Sequence, residues 1–87
     1  MKVRFLNRDK TITAATEDDI VTWMRTNDLE RYRTNGEFML AYAERKELFE
    51  NIIIDSDNTT SFVDGLKKHK VISVFENKLF VSFRRSR

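Results

Sequence analysis

Residues 59–87, TTSFVDGLKKHKVISVFENKLFVSFRRSR, change their hydrophobic period once, near Lys70. Before that point Phe62, Val63 and Leu66 recur at helical spacing, which predicts a helix over Thr59 to His69. Lys67, Lys68 and His69 fall at its C-terminal end, where cations suit the helix dipole. Beyond Lys70, apolar and polar residues alternate in twos, as in strands with one buried face. A two-residue turn at Asn77-Lys78 pairs Glu76 with Leu79, Phe75 with Phe80, Val74 with Val81, Ser73 with Ser82 and Ile72 with Phe83. That register collects Ile72, Val74, Leu79, Val81 and Phe83 on a core face and leaves Ser73, Phe75, Phe80, Ser82 and Arg84 on the other. A slip of one residue sets serines among the hydrophobes, so the apolar face selects the pairing.

Working backwards, Ile52-Ile53-Ile54 is a β-branched run that predicts a short buried strand or extended segment, followed by a polar turn at Asp55-Ser56-Asp57-Asn58. Thr34-Asn35-Gly36-Glu37 is a capping box opening a helix that runs to about Asn51. On that helix Phe38, Ala41, Tyr42 and Phe49 share one side, widened by Met39, Ala43 and Leu48, while Glu44, Glu47 and Glu50 face water. Thr16 caps an earlier helix, with Glu17, Asp18 and Asp19 in its first turn and Ile20, Trp23 and Met24 as its buried stripe. Between these helices, Asn27 to Arg33 is ambiguous, with Leu29 and Tyr32 able to add a turn. Lys2 to Leu6 alternates as a strand, Val3 and Phe5 on one side and Lys2 and Arg4 on the other.

The expected fold is α+β: two or three helices packed on one face of a small antiparallel sheet that ends in a C-terminal β-hairpin. The N-terminal strand, and Ile52–Ile54 with it, would extend that sheet. The expected core is Phe5, Ile20, Trp23, Met24, Phe38, Tyr42, Phe49, Ile53, Phe62, Leu66, Ile72, Val74, Val81 and Phe83. Eighty-seven residues make one domain, 1–87, and 40% hydrophobic content supplies its core. There is no cysteine, hence neither a disulfide nor a thiolate metal site, which suits a reducing compartment. No apolar run approaches the roughly 20 residues of a membrane span. A cytoplasmic bacterial or phage protein is the default expectation.

Short motifs offer little catalytic chemistry. Ile52-Ile53-Ile54-Asp55-Ser56-Asp57-Asn58-Thr59 resembles the first motif of haloacid-dehalogenase-type phosphatases. That resemblance implies Asp55 as nucleophile and Asp57 as general acid, both near Mg²⁺. It covers eight residues, and the 28 that follow Thr59 hold only Asp64 and Glu76 as acids, where the family needs a later Ser or Thr, a Lys and a further acidic pair. As a calcium loop the same segment has Thr60 where Gly is required and Leu66 where a bidentate Glu is required. His69 is the only histidine and sits between Lys68 and Lys70, and the two isolated glycines cannot form a phosphate-binding loop. Neither catalytic residue, metal ligand nor cofactor is expected.

Charge is the remaining signal. Gly65 to Arg87 carries seven Lys and Arg against the single acid Glu76, a net charge of +6, while the remainder of the chain holds −4. Such asymmetry points to a polyanion or an acidic partner. The candidate nucleic-acid-binding residues are Lys67, Lys68, Lys70, Lys78, Arg84 and Arg85, with Phe75 and Phe80 as a stacking platform for unpaired bases. Residues 59–84, helix then hairpin, are also similar in order to the second half of winged-helix DNA-binding domains. The alternative is a protein-interaction module, with a homodimer formed through a sheet edge or through the Phe75 and Phe80 face.

Overall fold

The computed structural model describes residues 1–75. In chain order they form β1 (Lys2–Phe5), β2 (Lys10–Thr13), α1 (Glu17–Thr26), α2 (Asn35–Glu50), α3 (Thr59–Lys68) and β3 (Ile72–Phe75). The three strands make one antiparallel sheet in the order β2-β1-β3. The α+β class and the helices on one sheet face are as expected. The second hairpin strand, with its turn at Asn77-Lys78, lies outside the described residues.

β1 occupies the centre of the sheet, pairing Val3 with both Ile12 and Val74, and Phe5 with Ile72. Strand alternation then separates two faces. Val3, Phe5 and Ile72 are buried beneath the helices, with Ile12 and Val74 packed against them, while Lys2, Arg4, Thr11, Thr13 and Phe75 are exposed. β2 was not anticipated: Lys10-Thr11-Ile12-Thr13 offers one apolar side chain, and its strand character comes from its partner β1.

Caps fix the helices. The Asp19 amide donates to Thr16 Oγ1 and the Thr16 amide to Asp19 Oδ2, a closed capping box at α1. At α2 the box is opened by one residue: Thr34 Oγ1 accepts from the Glu37 amide, but the Glu37 carboxylate takes the amide of Arg33 instead of that of Thr34. Asn58 caps α3 through the Ser61 amide.

A single apolar core gathers Val3, Phe5, Ile20, Val21, Met24, Phe38, Met39, Phe62, Val63, Leu66 and Ile72, and no polar or charged residue is buried among the described residues. Trp23, Tyr42 and Val74 pack at its margin. Among the described residues, two expected core residues are outside it; Val81 and Phe83, also expected in the core, lie outside the described residues. Phe49 is 76% exposed, because α2 continues past Ala43, its last buried residue, and carries the apolar stripe out of the core. Ile53 is 65% exposed, and residues 52–54 form no strand. Asn51 leaves α2 in the left-handed conformation (φ 58°), after which Ile54 is the isoleucine that turns inward, against Gly65 of α3. Leu29 is exposed and adds no helical turn, whereas Tyr32 packs edge-on to Phe38 at 5.6 Å.

Candidate nucleic-acid interface

The Lys67, Lys68 and Lys70 side chains are presented by the way α3 ends. His69 is its C-cap, and Lys70 follows with φ 60°. The Lys70 amide donates to the Lys67 carbonyl (3.1 Å) and the Val71 amide to the Leu66 carbonyl (2.9 Å). These are the two bonds of a Schellman motif, completed by burial of both Val71 and Leu66. The motif satisfies carbonyls that the helix end leaves open and turns the chain into β3 with three lysines exposed at the corner. Lys67 also contacts Asp64 at 3.5 Å, a surface pair of small energy.

Phe75 stands on the sheet face away from the helices and is 49% exposed. Its cross-strand neighbour is Lys2, and Ser73 stands opposite Arg4. Lys2 and Arg4 were not singled out from charge, because they lie in the acidic part of the chain. Their alternation against Val3 and Phe5 was the available signal, and only the central position of β1 brings them to Phe75. Arg4 shares its charge with Asp9 through a 2.9 Å bond.

The described cations next to β3 therefore form two groups. Lys67, Lys68 and Lys70 occupy the α3–β3 corner, and Lys2 and Arg4 lie with Phe75 on the sheet face away from the described helices. Arg4 stands beside Ser73, near the corner, and Lys2 beside Phe75, about 10 Å from the first residue of β3 at the usual rise per residue. Lys78, Phe80, Arg84 and Arg85 lie outside the described residues.

Elsewhere the motifs resolve into structural roles. The Asp57 amide donates to Asp55 Oδ1 at 2.9 Å, so these carboxylates belong to a turn that delivers Asn58 to its cap position. Among the described residues no group of three or more His, Asp or Glu side chains is placed to hold a metal ion. The first turn of α3 is tied to α1, with Thr59 Oγ1 donating to Asp18 and Thr60 Oγ1 to Glu17. A winged-helix reading needs that turn in a DNA groove, yet it is engaged by carboxylates. No described helix is long and apolar enough to cross a membrane. No family model, curated protein or solved structure matches the chain.

Proposed function

We propose that this protein is a non-catalytic binding module for single-stranded nucleic acid, using the outer sheet face and the adjoining α3–β3 corner. The observation that supports this reading is Phe75, half-exposed directly across from Lys2 on a face that no described helix covers. An aromatic on an open sheet stacks a base of any identity, and flanking lysines track the phosphates. A strand of a few nucleotides spans the distance from Lys2 and Phe75 to Lys70. The acid-tied first turn of α3 favours an unpaired strand over a duplex groove.

Fluorescence anisotropy with labelled single- and double-stranded oligonucleotides at about 50 mM salt tests the proposal. Single strands should bind more tightly, and Lys2→Ala and Phe75→Ala should each weaken them without moving the thermal melt. Absence of binding to either form ends the idea.

An acidic protein surface is the alternative for the same face. A second copy of this chain offers one, because Glu17, Asp18 and Asp19 gather at the start of α1. Light scattering over a concentration and salt series separates the two readings: salt-sensitive self-association supports the alternative, and a monomer that binds oligonucleotide supports the first.

A further inference from the structure

A hollow of about 400 Å³ opens between the β1–β2 turn, the end of α1 and the middle of α2. Its volume falls within the range of small-molecule sites, roughly 300–1,000 Å³. The backbone builds it: the Leu6 amide donates to the Val71 carbonyl at 3.0 Å, which ties the turn bearing Asn7 and Arg8 to the start of β3. Trp23 and Tyr42 provide its aromatic surfaces, and both are only half-buried. Trp23 is held in place by stacking on Phe5, with ring centroids 4.6 Å apart and planes inclined by 24°. The Arg8 guanidinium lies 5.7 Å from the Trp23 ring centroid, and that of Arg45 lies 5.8 Å from Tyr42.

The charges are not equivalent. Arg45 bonds Asp28 at 3.0 Å, so the two compensate each other. Arg8 takes part in none of the ion pairs among the described residues. Among the described residues, the hollow therefore has one cation without an ion-pair partner, at its mouth above aromatic walls. A cationic ligand meets repulsion there, an aliphatic one leaves Arg8 unused, and a bare anion leaves the rings unused.

We infer that this hollow binds a small planar aromatic anion of the mononucleotide or aryl phosphate class, its ring against Trp23 and Tyr42 and its anionic group on Arg8. This site is separate from the Phe75 face and does not depend on the reading given to that face.

Trp23 is the only tryptophan in the chain, so its emission reports the hollow directly. The probes are adenosine 5′-monophosphate, adenosine and inorganic phosphate, titrated with excitation at the red edge of the indole band. Expected is a saturable change with the monophosphate, at least tenfold tighter than with either fragment, because a charge-assisted contact and ring burial act together. Arg8 sits in an exposed turn, so Arg8→Ala should keep the melting temperature while lowering monophosphate affinity about tenfold, and Phe75→Ala should leave that affinity unchanged. The inference is overturned if the monophosphate causes no saturable change, if adenosine binds as tightly, if Arg8→Ala has no effect, or if Phe75→Ala abolishes the binding.

Discussion

Lys70 carries a conformational cost that its position in the Schellman motif imposes. At φ 60° its Cβ crowds the backbone, a penalty of about 1–2 kcal/mol for an L-residue. Glycine avoids that penalty but has more unfolded-state entropy to lose, about 0.4–1 kcal/mol. Lys70→Gly is thus expected to stabilise the fold by about 0.5–1 kcal/mol in urea denaturation, and Lys70→Ala, which keeps the Cβ, to give no comparable gain. Oligonucleotide affinity should move the other way, since the variant removes a corner cation. Asp28 shows a different balance. Burial pushes its carboxyl up, but the Glu30 amide, the Arg45 guanidinium and the Leu29 amide together outweigh burial and hold it below the ordinary 3.8. A depressed carboxylate contributes stability above its unfolded-state value and loses it as pH falls through the lower folded-state value. Urea midpoints should therefore drop more steeply below about pH 4 for the parent than for Asp28→Asn; equal slopes would show that the Arg45 pair has no energetic weight.

Among the elements, α3 depends on a residue that looks wrong for a helix interior. Gly65 costs about 1 kcal/mol against alanine on propensity alone. A Cβ there, however, would stand 3.0 Å from Ile54 Cγ2 and 3.7 Å from the Ile54 Cα. Ile54 is buried, so it has little room to yield. Overpacking of this kind costs about 1–3 kcal/mol, enough to outweigh the propensity gain. Gly65→Ala is expected to destabilise by about 1 kcal/mol, and combining it with Ile54→Ala should cost less than the two single changes together. Additivity in that cycle would mean the contact is relieved elsewhere. The same contact explains why 52–54 misled. Three β-branched residues in a row suggest a strand, but the left-handed exit at Asn51 and the approach to Gly65 bury the third, leave Ile52 at the core's margin and expose Ile53. The helices were readable because caps and periodicity are local: Thr16 with Asp19, Thr34 with Glu37, and Phe62, Val63 and Leu66. β2 was not, since one isoleucine among polar residues becomes a strand only when β1 is beside it. Phe49 kept the period of α2 correctly; what periodicity omits is where the core ends.

Over the molecule as a whole, the basic end was visible as composition, but its geometry required the sheet order. Lys67, Lys68 and Lys70 could be named from their place after an amphipathic helix. The partnership of Lys2 with Phe75 joins opposite ends of the described chain and has no local signature. If Lys2, Arg4, Lys67, Lys68 and Lys70 hold one strand beside Phe75, as proposed, charge and stacking should make separable contributions to binding. Each phosphate neutralised on a single strand adds about −0.7 to the slope of log affinity against log salt. Five contacts predict a fall of about a hundredfold between 50 and 200 mM salt. Lys70→Gly or Lys2→Ala should reduce the magnitude of that slope by about 0.7. Phe75→Ala should cost about 1–3 kcal/mol of affinity, the usual worth of a stacked base, with the slope unchanged, since a stacked ring displaces no counterion. The pair of measurements distinguishes an interface from a merely basic surface. If Phe75→Ala leaves affinity untouched while the lysine variants change the slope, the nucleic acid is held by charge alone and the sheet face is not part of the site.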